Sequence, residues 1–142
     1  MLTTISFIAF TLKWKRSLDN RRNIFVYGTL RQGEYNNILL ENAKFKGMFS
    51  TVPEYELRNF GVFPGLMSNG STSVKGEVYE VDDETLTYLD YHEGHPTFYC
   101  RTTIKLKGHT DEVEAYLISE HPRYHKELPI IHSGDWKERQ SD

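Results

Sequence analysis

The sequence predicts an α+β fold: a small mixed β-barrel with flanking short helices. Three observations carry this. Strand-like runs of β-branched and aromatic residues outnumber the helical stretches, of which only two are clear. Gly, Pro and Asn-Gly interrupt these runs at short intervals. The strand spacing does not suggest βαβ units, so a curved sheet that closes its edges is the better fit. The 142 residues suit one domain, and 38% apolar residues suffice for a core, which excludes a disordered, collagen-like or integral membrane chain. A formal charge of −3 provides no global basic field for nucleic acid or anionic lipid. The single cysteine, Cys100, excludes an internal disulfide framework and suits a reducing, cytoplasmic compartment. Nine Tyr and eight Phe leave open which rings fill the core and which border a pocket.

At the start of the chain, residues 1–14 are largely apolar, with Lys13, Lys15, Arg16, Arg21 and Arg22 at the end of the run or after it. A membrane span needs about 20 apolar residues, so the run is too short. A secretory signal would place its charge first and carry a small-residue cleavage site. Residues 1–22 are therefore expected to be an extension or an accessory segment packed on the domain, with a loose interfacial anchor as a third reading. Residues 17–22 read as a linker, and a single domain spans 23–142. A first strand covers 23–27 and stops at Gly28; residues 29–33 are a loop. Residues 34–43, with Ile38, Leu39 and Leu40, read as a short helix. Strands follow at 45–52, 54–60 and 73–81, with Gly61, Pro64, Gly65 and Asn69-Gly70 as punctuation. Asp82 is an N-cap, with Asp83 and Glu84 in the first turn of a helix that runs to about His92. Strands 98–107 and 112–119 are joined by a turn at 108–111, and the tail ends in Ser133-Gly134-Asp135-Trp136. Trp136 is placed as a cap on the barrel or a ring that closes over a substrate.

Two constellations carry chemistry. The first is the loop Tyr27-Gly28-Thr29-Leu30-Arg31-Gln32-Gly33 between strand and helix. Such a loop can aim consecutive backbone N–H groups into one concavity, which suits a carboxylate or phosphate. Gly28 would permit close approach or an unusual φ, Thr29 adds a hydroxyl, and Arg31 could add charge. The same spacing also fits an ordinary strand-to-helix connection, and the loop is neither a P-loop nor a dinucleotide fingerprint.

The second is Glu93. Leu86, Leu89 and Glu93 stand at i, i+3 and i+7, on one helical face. If the leucines face the core, Glu93 projects from the end of a buried stripe. Lost hydration would raise its pKa and make it a usable general base near neutrality. Gly94 ends the helix. The alternative is a helix-end Glu paired with an Arg or simply solvated. On the next strand Tyr99, Arg101 and Thr103 share one face, and Phe98, Cys100, Thr102 and Ile104 the other, so Tyr99 suits a pocket wall.

Other signals are weaker. His92 and His95 are three apart and straddle Gly94, which does not match the zinc-helix spacing, so no metal is expected. His121 and His125 flank Pro122 in a loop and read as surface residues. Cys100, between Phe98 and Ile104, reads as a core thiol rather than a nucleophile. The cluster from Lys13 to Arg22 reads as a solvated run.

Several of these pieces, in order, resemble the gamma-glutamylcyclotransferase-like family. Val26-Tyr27-Gly28-Thr29-Leu30 is similar to its Tyr-Gly-Ser/Thr-Leu loop, and Gly76-Glu77-Val78-Tyr79 with Val81-Asp82 to its central strand. Leu89-Asp90-Tyr91-His92-Glu93, then Pro96, Tyr99, Arg101 and Thr102, is similar to the segment with its catalytic glutamate. Ser133-Gly134-Asp135-Trp136 resembles an ending of small bacterial members. The match runs from Asn23 to about Trp136, and the Glu93 segment leans toward the gamma-glutamylamine branch; residues 1–22 have no counterpart.

The resemblance implies the mixed barrel and an intramolecular reaction. The α-amine of a γ-glutamyl group attacks its own γ-carbonyl, which yields 5-oxoproline and a free amine without metal or cofactor. It implies that Tyr27, Gly28, Thr29 and Leu30 hold the α-carboxylate, that Glu93 is the general acid/base and that Tyr99 orients the substrate. The expected partner is a small γ-glutamyl molecule, with no nucleic acid and no stable membrane insertion. Some relatives keep the fold and lack the glutamate, so two rivals stand beside the enzyme. One is a non-catalytic binder of a small metabolite in the same pocket, and the other is an interaction protein.

Overall fold

The computed structural model describes residues 20–119 and 127–141. The expectations for residues 1–19, and for His121, Pro122 and His125, lie outside them. Strand β1 (Arg22–Val26) opens the fold, so Arg22 belongs to a strand rather than to a linker. A 3-10 helix (Tyr35–Leu40) follows, then β2 (Lys44–Ser50), β3 (Tyr55–Asn59), β4 (Pro64–Ser68) and β5 (Lys75–Val81). Helix α1 (Asp83–Glu93), β6 (Tyr99–Ile104), β7 (Val113–Ile118) and a second 3-10 helix (Trp136–Ser141) complete it.

The seven strands form one mixed sheet in the order β2-β5-β1-β7-β4-β3, with β6 paired to β7 off this path. Among the described residues β2, β3 and β6 each pair with a single strand of the sheet, so the α+β class holds and the barrel is not a closed one. Two parallel contacts occur, β1 with β7 at Ile24↔Glu114 and β4 with β7 at Leu66↔Leu117. The others are antiparallel.

Both faces of the sheet are covered, and the period-2 alternation of β1 divides between them. Phe25 and Tyr27 join one core cluster with Leu57, Leu66, Val78 and Trp136. Ile24 and Val26 join the other, against Leu86 and Leu89 of α1 and Tyr99 and Tyr116. Trp136 is buried in the first cluster, so it caps a core rather than closing over a substrate.

Two expected elements changed. The helix at 34–43 is a short 3-10 turn: Glu34 at its N-cap makes no side-chain cap, and the first turn holds no acid. Asn37 instead ties it to the carbonyl of Leu30 and the hydroxyl of Tyr79. Pro64 and Gly65, taken as punctuation, open strand β4, which forms a hairpin with β3 from Asn59↔Pro64 to Tyr55↔Ser68. Proline at a strand's first residue costs no ladder bond. Gly65 is required by space, since a Cβ there would lie 2.5 Å from the Phe60 ring and 2.6 Å from Ile118.

Candidate active site

β6 covers one edge of β7 along its whole length, Tyr99↔Ile118 to Ile104↔Val113. β1 and β4 must therefore share the other edge, and they meet it at Glu114 and Leu117 respectively. Between these points the strands part, and a cavity of about 250 Å³ opens there, lined by Phe25 and Val26 of β1, Tyr27 just after it, Phe63 just before β4, and Pro64 at its start. The Tyr27 hydroxyl bridges the split: it donates to the Tyr116 carbonyl at 2.5 Å and accepts from the Leu66 amide at 3.2 Å. It replaces ladder bonds that neither strand can make here. The Tyr99 hydroxyl donates to the Pro64 carbonyl at 2.6 Å and holds β4 from the opposite wall. Both tyrosines border the cavity, with their donor protons committed to backbone. Burial raises the pKa of each, and neighbouring Glu93 adds to the shift.

The loop after β1 lines the same cavity with Gly28, Thr29 and Leu30. Among the described residues, no acceptor meets the amides of these three residues. Three successive N–H groups without partners, two of them in buried residues, are costly unless an anion or water takes them. The loop's other groups are used internally. The Arg31 amide donates to the Gly28 carbonyl, and Asn36 donates from its backbone to the Thr29 carbonyl and from its side chain to the Thr29 hydroxyl. Gly28 is not among the glycines with positive φ. It is needed for space, because a Cβ would stand 2.5 Å from Pro64 Cγ.

Arg31 does not add its charge to the cavity. It is buried behind the loop, with Nε 3.2 Å from Glu77 and a terminal nitrogen 2.7 Å from Asp135. Glu77 also accepts from the Gln32 amide and the Tyr79 hydroxyl. Burial pushes the Asp135 carboxyl up, but Arg31 and the Lys137 amide outweigh it and hold it below the ordinary range. The charge supports the loop, and the Asp135 of the tail is one of its two anchors.

Glu93 ends α1 and borders the cavity. The Asp82 carboxylate accepts from the Thr85 amide and starts the helix, while Gly94, at φ 66°, terminates it. Leu86 and Leu89 are buried and Glu93 follows at the end of their stripe, half-buried. Among the described residues it has no hydrogen bond and no ion pair. Desolvation raises its pKa from 4.5 to about 7, so the group is divided between acid and base forms near neutrality.

Other lining residues were not foreseen: Phe63 and Pro64 arrive with β4, and Tyr116 comes from β7. A Gly-containing loop between two apolar runs, 60–63, was the available hairpin signal. Phe98 precedes β6 instead of sitting in it, so it lines the cavity beside Tyr99 rather than on the opposite face. Cys100 is half-buried, not a core thiol. The His95 Nδ1 accepts from the Arg101 amide at 3.0 Å, which gives that ring a structural task. No helix of the described residues is long and apolar enough to cross a membrane.

Comparison with known proteins accords with this geometry. A family model described as "Gamma-glutamyl cyclotransferase, AIG2-like" matches residues 24–138. A Vibrio cholerae protein, named provisionally as a gamma-glutamylcyclotransferase, is 45% identical over 116 residues, 82% of this chain and 96% of its own. The gamma-glutamylaminecyclotransferase of Rattus norvegicus is 34% identical over 114 residues, 68% of this chain and 76% of its own. The crystal structure of an AIG2-like protein of Mus musculus superposes with a TM-score of 0.69 at 29% identity, covering 82% of this chain and 89% of that one. The chain belongs to the AIG2-like gamma-glutamyl cyclotransferase family.

Proposed function

We propose that the protein converts a γ-glutamyl amine to 5-oxoproline and the free amine, with Glu93 as general acid/base. One observation carries the reading: among the described residues, a carboxyl without a partner, its pKa raised to about 7, and three backbone amides without partners border the same cavity. The amides of Gly28, Thr29 and Leu30 suit the substrate's α-carboxylate. Glu93 takes a proton from the α-ammonium, and the freed amine attacks the γ-carbonyl. As the tetrahedral adduct collapses, Glu93 gives its proton to the departing amine and the second proton lost by the attacking nitrogen passes there too, so the amine leaves as an ammonium ion. The attack is intramolecular, so the site's main task is to hold the substrate folded. Tyr99, whose oxygen keeps acceptor capacity, helps orient it. Among the described residues no Lys or Arg lines the cavity, which supports a leaving amine without its own carboxylate. The lone Cys100 is consistent with a reducing, cytoplasmic setting.

The test is incubation with γ-glutamyl amines, γ-glutamyl dipeptides and glutathione, with 5-oxoproline followed by mass spectrometry, for the native protein and Glu93→Gln. No product with any substrate would sink the reading, and ligand binding without product would leave the non-catalytic binder in its place. Product from glutathione but not from amines would overturn the substrate class.

A further inference from the structure

We infer that Tyr116, held by Asp90 and Arg101, is a positioning residue that sets the height of Glu93 against the 27–30 loop. The inference rests on the proposed role of Glu93 for its catalytic meaning, while its geometry stands alone. Tyr116 is tied to both halves of the site. Its carbonyl accepts from Tyr27, the first residue of the amide loop. Its own hydroxyl donates to Asp90 Oδ1 at 2.6 Å. Asp90 lies three residues before Glu93, one turn back on the same side of α1.

The helix needs such a tie because apolar packing stops short of Glu93. The buried residues of α1 are Thr85, Leu86 and Leu89, and Leu89 is the last of them. Beyond it the chain is held by polar contacts. Arg101 grips both oxygens of Asp90. The Asp90 carbonyl accepts from the amides of Gly94 and His95, and the His95 ring accepts from the Arg101 amide. The turn that carries Glu93 is thus pinned on both sides to β6 and β7. Burial pushes Asp90 up, but Arg101 and Tyr116 outweigh it, so the carboxyl is held below its ordinary range and ionised. An ionised anchor one turn from the base keeps its hydrogen bonds across the working pH range.

Other titratable groups that border the cavity are Tyr27 just after β1, Tyr35 from the 3-10 helix, Tyr99 from β6, and His92 beside Glu93. None is removed by changing Tyr116, and Tyr116→Phe alters no charge. A shift in the titration of Glu93 in this variant therefore reports its position. If the last turn of α1 loosens, Glu93 regains water and its pKa falls toward the ordinary carboxyl value.

The experiment is a 13C NMR titration of protein labelled at the glutamate carboxyl carbons, with the Glu93 signal assigned by its loss in Glu93→Gln. It needs no turnover. Tyr116→Phe is expected to lower the Glu93 midpoint by about one pH unit. Where the cyclotransferase assay is positive, kcat falls roughly 10- to 100-fold with little change in KM, as expected for a displaced base. Arg101→Lys, which keeps the charge and loses the fork, is the second variant if the first does not fold, and shifts the titration the same way. An unmoved Glu93 titration in a folded variant overturns the inference, even if the melting temperature drops. Absence of turnover in the native protein sinks the proposed function instead, and the NMR titration still decides the positioning role.

Discussion

Glu93→Gln should make the protein more stable at alkaline pH while it sharply lowers turnover. The folded-state pKa of Glu93 is raised by desolvation from 4.5 to about 7. Below the unfolded value both states are protonated, and the carboxyl behaves much like the amide that replaces it. As pH rises from about 4.5 to about 7 the unfolded chain loses this proton and the folded one keeps it, so stability falls. Above that window the cost is complete and amounts to about 3 kcal/mol, an upper figure from the width of the window. The glutamine variant escapes it. Urea denaturation of both proteins should give curves that nearly coincide near pH 4 and differ by about 3 kcal/mol near pH 8, or roughly 10 °C in melting temperature. Other carboxylates cancel in the comparison because both proteins carry them. Turnover should fall by about 10²- to 10⁴-fold, the usual contribution of a general acid/base. A stability difference that does not change with pH would refute the desolvation argument, and a less stable variant at pH 8 would mean that an unseen cation holds the carboxylate.

Three further substitutions probe the frame of the site. Gly28→Ala forces its Cβ against the Pro64 ring, 2.5 Å away, and should cost about 1–3 kcal/mol in urea denaturation and weaken substrate binding; unchanged KM and stability would refute the close approach. Arg31→Met leaves Glu77 and Asp135 without their shared cation and should cost about 3–5 kcal/mol by the same measurement, whereas a negligible loss would show that the clamp holds nothing. Tyr99→Phe leaves the Pro64 carbonyl without its donor and should cost about 1–3 kcal/mol, with wild-type stability as the contrary result.

The parts of the site that follow from local chemistry were legible in the sequence. Helix α1 has its N-cap in Asp82, its terminator in Gly94 and its stripe in Leu86 and Leu89, all within a short stretch. Side-chain period alone then puts Glu93 at the end of the buried face. What escaped depends on distant pairings. Arg31 reads as a loop cation until Glu77 and Asp135, 46 and 104 residues away, are brought to it. The hydroxyls of Tyr27 and Tyr99 find backbone carbonyls across 89 and 35 residues. β4 was hidden because Pro64 and Gly65 are breakers in isolation. They are tolerated here because one opens the strand and the other lies beneath the Phe60 ring.

The clamp on Arg31 also imposes an order in time. The 27–30 loop leaves the ribosome early, but the carboxylates that neutralise the arginine behind it come from β5 and, much later, from Asp135. Until residue 135 has emerged and docked, burying Arg31 means burying a cation with one anchor missing, which is unfavourable. Tyr27 must likewise wait for β7 to supply the Tyr116 carbonyl. A nascent chain can therefore form the β3–β4 hairpin and helix α1 from local contacts while its 27–30 loop is still unsupported. The 27–30 loop is thus synthesised early but gains its second carboxylate anchor only when the tail docks.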